Sequence, residues 1–164
     1  MAGKSLIVYY SWLGNTAAVA RELQAQTGFE TQEIKEKKER KKGNIPAAAL
    51  GAILGLRSRI ELMDFNLDGY DQVLLGAQVW AGKITPAINS YLNKTNFRGK
   101  RVFLFITKAD NKIPEKFIDQ ITRRINKKGG KVVDCISFTT KMDSVITTEK
   151  FKDELHSWLV KNRL

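Results

Sequence analysis

An uninterrupted apolar run, residues 6–10, leads into a small polar loop at residues 11–16 and then into a helical pattern. Five consecutive apolar residues predict a strand that is buried on both faces. Thr16, Val19, Ala20 and Leu23 follow at the i, i+3, i+4 and i+7 spacing of a helix packed on a sheet. The stretch therefore predicts a strand, loop and helix of a parallel α/β fold, in which ligands bind at the carboxyl ends of the strands.

The loop Ser11-Trp12-Leu13-Gly14-Asn15-Thr16 has the properties of a phosphate site. Free backbone N–H groups and the positive end of the helix dipole suit an anion without a basic side chain. Gly14 would allow close backbone approach, and three side chains could donate hydrogen bonds. An ordinary turn with a capping Asn or Thr remains the alternative.

Four further apolar runs alternate with helical patterns, which predicts five strands in all. The second and fifth are polar enough to be edge strands. Placing them outermost gives a three-layer, doubly wound parallel sheet of order 2-1-3-4-5, in one domain spanning residues 1–164. The further strands are predicted at residues 29–34, 73–75, 102–106 and 132–138, and later helices at residues 84–91, from Pro114-Glu115, and at 151–159.

Two more loops would reach the same edge of this sheet, after the third and fourth strands. In the loop 76–83, Trp80 could stack on a flat ligand, although packing into the core is the alternative. The predicted ligand-binding residues from all three loops are Ser11, Trp12, Leu13, Gly14, Asn15, Thr16, Gln78, Val79, Trp80, Ala81, Gly82, Lys83, Thr107, Lys108, Ala109, Asp110 and Asn111.

Composition excludes several classes of site. Cys135 is the only cysteine and His156 the only histidine, so an intrachain disulfide or a Cys/His metal cluster is excluded. The chain shows neither a signal peptide nor an apolar segment long enough to span a bilayer, so we expect a cytoplasmic protein. His156 lies in the last helical pattern, where we expect a partly exposed residue.

The formal net charge is +11, concentrated in residues 35–42 and in Arg123, Arg124, Lys127, Lys128 and Lys131. The first run predicts an exposed loop or frayed helix that could contact a polyanion or a membrane surface. A solvated basic surface without a dedicated partner is the alternative. Neither interleaved aromatics nor a recognisable nucleic-acid motif accompanies the basic residues.

Pro46 opens a short apolar segment that ends before Arg57 and Arg59. Proline suits the first helical position, and arginines suit the negative end of a helix. We expect either a helix that covers the sheet or a hydrophobic surface that meets a partner, a second copy or a membrane.

The loops resemble those of short-chain flavodoxins. The family's phosphate loop is matched at Ser11, Gly14, Asn15 and Thr16, and Val79-Trp80-Ala81-Gly82 resembles its second loop. The resemblance implies noncovalent FMN, with Ser11, Asn15, Thr16 and the 12–16 backbone on the phosphate. It also implies Trp80 against the isoalloxazine ring and residues 107–111 at the other edge.

The chain departs from the family pattern in four respects. Leu13 replaces a hydroxyl residue, which predicts a loss of about 1.5–3 kcal/mol of phosphate binding. Gln78 stands where proline is frequent, the third loop lacks the usual glycines and aromatic residue, and the chain is basic rather than acidic. A cationic surround, with Lys83 and Lys108 nearest, predicts a less negative hydroquinone potential and acidic redox partner proteins.

The resemblance implies electron transfer through FMN, with no catalytic side chain. Two alternatives remain open at this point. One is a flavin-dependent oxidoreductase acting on NAD(P)H and a quinone. The other is a flavodoxin-like binding module that has lost FMN, which the Leu13 substitution and the reduced third loop would favour.

Overall fold

The computed structural model describes residues 3–41, 44–112 and 115–164. Lys42 of the basic run and Pro114 of the predicted fourth helix lie outside the described residues. The strands are β1 (Ser5–Tyr9), β2 (Glu30–Glu33), β3 (Gln72–Trp80), β4 (Lys83–Ile84), β5 (Arg101–Lys108) and β6 (Lys131–Thr139). The helices are α1 (Asn15–Thr27), α2 (Ile45–Ile53), α3 (Pro86–Lys94), α4 (Glu115–Lys127) and α5 (Lys152–Asn162).

The five long strands form one parallel sheet in the order β2-β1-β3-β5-β6. This confirms the predicted order 2-1-3-4-5, since β4 is a short addition that pairs only with β3. β2 is an edge strand whose four residues are all polar, and none of them is buried. Polar side chains are tolerated there because one side of an edge strand faces water.

Side chains of the central strands alternate between two apolar layers, as the strand period requires. On one face, Val8 and Leu75 pack in a cluster with Ile88 of α3 and Ile121 of α4. On the other face, Val19 of α1 and Leu155 of α5 pack against the strand residues Ile7, Leu74 and Phe103. Helices on both faces confirm the doubly wound, three-layer architecture. Across the residues that the structure describes, no helix is both long enough and apolar enough to cross a membrane.

The predicted loop 76–83 is wrong in its extent. β3 continues to Trp80, and a two-residue turn at Ala81 and Gly82 returns the chain as β4. Both turn residues have positive φ, +46° and +71°, as in the type I′ turn of a tight hairpin. The predicted strand ends too early because glycine at residue 76 is typical of a loop. Ile84, predicted to be helical, lies in β4, and Thr85 caps α3.

The apolar segment after Pro46 forms α2, which packs its Ala48, Gly51 and Ala52 against the body of the protein. The prediction that a helix covers the sheet is therefore confirmed. Small residues form the packed face, whereas the larger apolar residues Leu50, Ile53 and Leu54 are exposed.

Gly76 lies at the closest approach in the sheet, and Gly76→Ala tests how tightly that region is packed. A Cβ there would lie 2.3 Å from Phe105 Cζ and 2.8 Å from Tyr9 Cβ. Phe105 is fully buried and has no room to move. We expect Gly76→Ala to lower the free energy of unfolding by about 1–3 kcal/mol or more in urea titrations. Gly69→Ala is the matched control, since no described atom beyond its chain neighbours lies within 4 Å of its Cβ position. An equal effect of the two substitutions would contradict this packing.

Candidate functional site

A cleft of about 290 Å³ lies at the carboxyl edge of the sheet. Its volume is near the lower end of the roughly 300–1,000 Å³ typical of small-molecule sites. The predicted residues that line it are Trp12, Leu13, Asn15, Gln78, Val79, Trp80, Ala81, Gly82, Thr107, Lys108, Ala109 and Asp110. Ser11, Gly14, Thr16, Lys83 and Asn111 were also predicted but are not part of its lining.

The sequence prediction missed two groups of lining residues. One group comes from the α2 helix and the other from the segment after β6. The missed residues are Ile45, Ala48, Ala49, Lys112, Thr140, Lys141 and Met142. The apolar signal after Pro46 could have suggested the α2 wall, whereas no local signal marks residues 140–142.

The first loop turns into α1 through Gly14, whose φ of +92° lies in the left-handed region. A Cβ at this glycine would lie 3.1 Å from Val145 Cγ2, so a side chain would be both strained and crowded. The first backbone N–H groups of a helix have no intrahelical partner. No side chain in the described part of the chain caps the amino end of α1, so these groups are suited to an anion.

The Asn15 side chain connects this loop to the segment after β6. Its Nδ2 donates to the Lys141 carbonyl at 3.0 Å, and its Oδ1 accepts from the Ile146 N–H at 2.7 Å. The residue is almost completely buried. Asn15 therefore holds residues 141–146 across the start of α1, and its backbone N–H remains the group suited to a phosphate.

Two further side-chain hydrogen bonds join the three predicted loops. Thr16 Oγ1 lies 2.8 Å from Thr107 Oγ1, and both residues are buried, so this bond links the first loop to the end of β5. Gln78 Oε1 accepts from the Trp12 N–H at 2.8 Å, which links the first loop to β3. Gln78 thus positions the backbone of the first loop. A proline at residue 78 would provide no such side-chain acceptor.

Aromatic rings form one side of the cleft. Trp80 is only 9% exposed, and the Trp12 ring stands edge-on to it at 5.1 Å between centroids. The ring centroids of Tyr10 and Trp80 lie 6.1 Å apart, and the Arg40 guanidinium lies 5.5 Å from the centroid of the Trp80 ring. Trp80 therefore lies in the floor of the cleft and belongs to the core, while Trp12 is the more exposed ring.

Glu36 corrects the expectation that the whole basic run is exposed. Its buried carboxylate accepts from Tyr10 Oη at 2.9 Å and from Arg40 Nε at 2.9 Å. Burial and the neighbouring Glu36 charge raise the pKa of Tyr10, so this phenol stays protonated at any physiological pH. Ser11 lines a second cavity beside this pair, and its buried Oγ has no hydrogen-bond partner within the described ranges.

The lysines near the cleft have separate roles. Lys108 Nζ is buried and donates to the carbonyls of Asp110 and Asn111 and to Thr139 Oγ1, at 2.9–3.0 Å. It therefore orders the third loop. Lys112 and Lys141 line the cleft and are exposed. Lys83, predicted to be near the ligand, instead lines a different cavity with Arg123 and Arg124.

Other reactive groups do not contribute to the cleft. Burial raises the pKa of the Cys135 thiol to about 12, so this thiol is protonated at neutral pH. His156 is exposed on α5, and its Nδ1 lies 3.1 Å from Gln26 Oε1. Among the side chains that the structure places, no group of three His, Cys, Asp or Glu could hold a metal ion.

Asn15→Ala tests whether this side chain fastens residues 141–146. Removing both hydrogen bonds should lower the free energy of unfolding by about 1–3 kcal/mol, since the partly buried Ile146 N–H loses its acceptor. Amide exchange at residues 141–147 should accelerate more than exchange in the central strands. Asn126→Ala, at an exposed position on α4, serves as the control. Unchanged exchange in 141–147 would contradict the assignment.

Comparisons with known proteins agree with this architecture. A family model described as flavodoxin matches residues 52–159. No curated protein sequence is significantly similar to the chain. Among solved structures, a flavoprotein from Lactobacillus acidophilus NCFM in complex with FMN is 26% identical, with a TM-score of 0.68, over 83% of this chain and 93% of that one.

Two other structures show the likeness of the fold across nearly the whole chain. One is a proposed flavoprotein from Bacteroides eggerthii, 18% identical with a TM-score of 0.77 over 99% of both chains. The other is oxidised flavodoxin 2 from Bacillus cereus, 18% identical with a TM-score of 0.58 over 96% of this chain and 99% of that one. The family match covers more than half of the chain, and the sheet has the flavodoxin strand order. The chain therefore belongs to the flavodoxin family.

Proposed function

We propose that the cleft binds FMN noncovalently and that the protein transfers electrons through it. The observation that carries the proposal is the position of the cleft at the amino end of α1, where Asn15, the first residue of the helix, lines it. The Lactobacillus acidophilus flavoprotein, which is similar over most of the chain, was crystallised with FMN. The amino end of α1 in this chain is suited to the phosphate of that cofactor.

The residues present fit both parts of the cofactor. The first N–H groups of α1 are available to a phosphate, and Asn15 of this helix end lines the cleft. Ala48, Ala49, Val79 and Met142 provide apolar surface for a flat ring system, besides the tryptophans. When bound, FMN supplies the redox chemistry. The chain's own residues bind the cofactor, exclude water from its ring and set the local charge.

An equilibrium titration of the protein with FMN tests binding directly. We expect saturation at one equivalent, and much weaker binding of riboflavin, because riboflavin lacks the phosphate that the α1 N-terminus would hold. Equal affinity for the two compounds would contradict the phosphate assignment. No binding at high micromolar FMN would contradict the proposed function, and steady NAD(P)H turnover by the loaded protein would instead indicate a reductase.

Leu13→Thr should tighten FMN, because it restores a hydroxyl to the loop that would contact the phosphate. A hydrogen bond to a charged group is worth about 1.5–3 kcal/mol, so the dissociation constant should fall roughly ten- to hundred-fold. Leu13→Val is the matched control, since valine has the shape of threonine without the hydroxyl. If valine tightened binding as much as threonine, packing rather than hydrogen bonding would be the cause.

The cationic surround should raise the potential of the second flavin reduction, which adds negative charge. Removing the exposed charges with Lys112→Gln and Lys141→Gln should lower that potential by about 10–20 mV each, because a charge about 10 Å away in water contributes ~0.4 kcal/mol. Arg98→Gln removes the same charge at the opposite edge of the sheet and should have little effect. A potentiometric titration at low and high salt measures this, and equal shifts in all three variants would contradict it.

The net charge of +11 also leads us to propose an acidic redox partner. Opposite charges accelerate association, and salt screens that attraction. Electron-exchange rates with an acidic partner protein should therefore fall as ionic strength rises. Rates that were independent of salt would contradict electrostatic steering.

A further inference from the structure

The α2 helix packs its small apolar residues inward and exposes its large ones, which is the reverse of the usual arrangement in a globular protein. Its packed face consists of Ala48, Gly51 and Ala52, and a Cβ added at Gly51 would lie 3.4 Å from Pro86 Cγ. Pro46, Leu50, Ile53 and Leu54 recur at i, i+4, i+7 and i+8 and form the outer face. An amphipathic helix normally buries its large apolar residues and exposes polar ones.

The outer face is well exposed. Leu50 is 56% exposed, Ile53 is 55% and Leu54 is 61%, and Leu56 directly after the helix is about half exposed. Such a contiguous apolar surface is costly in water, which is why large patches usually mark an interaction site. With nine residues, α2 is far shorter than the ~20 needed to span a bilayer, so it could only lie along a surface.

Basic residues border the carboxyl end of this face. Ile53 and Leu54 line a cavity together with Lys83, Arg123 and Arg124, and no carboxylate in the described part of the chain lines it. Arg124 is held in place by hydrogen bonds to the side chain and the carbonyl of Asn89. The same Asn89 side chain donates to the carbonyl of Leu56 at 3.1 Å, which places the next residue, Arg57, beside Arg124. Burial and the positive charge of Arg57 lower the pKa of Arg124.

We infer that α2 and the basic cluster of Arg57, Lys83, Arg123 and Arg124 form a docking surface for an anionic phospholipid bilayer. The outer apolar residues would enter the boundary between headgroups and acyl chains, and the cations would face lipid phosphates. The charge pattern favours this occupant over a second copy of the chain, because a symmetric dimer through this face would bring two such clusters together.

Docking would place the flavin cleft beside the membrane. Ile45, Ala48 and Ala49 of α2 line that cleft, whereas Leu50 and Leu54 do not. One helix therefore separates the cleft from the docking surface. Membrane docking does not require bound FMN, so the two proposals can fail independently.

Co-sedimentation of the protein with vesicles tests the inference. Phosphatidylcholine vesicles are compared with vesicles that also contain phosphatidylglycerol, at equal total lipid. We expect binding only to the anionic vesicles, weakening with salt. Absence of binding to anionic vesicles at low salt would overturn the inference.

Paired substitutions separate the apolar and basic contributions. Leu50→Gln with Leu54→Gln should weaken vesicle binding about ten- to thirty-fold, and Val160→Gln on α5, which is similarly exposed, should not. Arg57→Gln with Arg123→Gln should weaken it about 25-fold, at roughly five-fold per charge. Lys150→Gln with Lys152→Gln removes equal charge from the α5 side and should have a much smaller effect.

Two outcomes would overturn the docking surface even if vesicles bind. If the Leu50 and Leu54 substitutions left binding unchanged, the attraction would be general charge rather than this face. If sedimentation showed a dimer that the same substitutions dissociate, with vesicle binding unaffected, the face would belong to a second copy. The urea unfolding midpoints of these variants should equal that of the unmodified protein, which shows that the fold is intact whether or not FMN binds.

Discussion

The cleft depends on the buried hydrogen bond between Thr16 and Thr107, which joins the start of α1 to the end of β5. Parallel strands bring their carboxyl ends to one edge, but they do not by themselves order the loops that follow. Here the Gln78 side chain and the Asn15 side chain complete that ordering, by bonding to the Trp12 N–H and to residues 141–146. Each bond connects segments far apart in sequence, so the cleft forms only when the whole sheet has formed.

The α2 helix contributes to both the proposed FMN site and the proposed docking surface. Its small residues allow it to lie close to β3 and β4, and this leaves the larger residues of the helix facing outward. The same element supplies one wall of the proposed FMN site and the apolar face of the proposed docking surface. If this wall faces a membrane, the positive charge of the chain would serve binding as well as solubility. Anionic lipid and an acidic partner protein would both be attracted to the basic residues.

Much of the fold and part of the cleft could be predicted from local patterns. The strand at residues 6–10, the helix stripe from Thr16 and the polar edge strands led to the correct sheet order. The prediction was least accurate where a local signal was ambiguous. Gly76 resembles a loop residue, yet it is required in the strand because Phe105 occupies the space of a side chain. Glu36 resembles part of a solvated basic run, yet it is buried against Tyr10.

The sequence by itself determined the alternation of strands and helices, the small polar loop after β1 and the excess of positive charge, because these follow from residue order and composition. Only the tertiary structure decided that α2 and residues 140–142 line the cleft, that Lys108 orders the third loop and that Lys83 faces another cavity. Those placements depend on contacts between distant segments and on which side of a packed helix remains exposed. Neither property has a local signature, since both are set by how the layers pack.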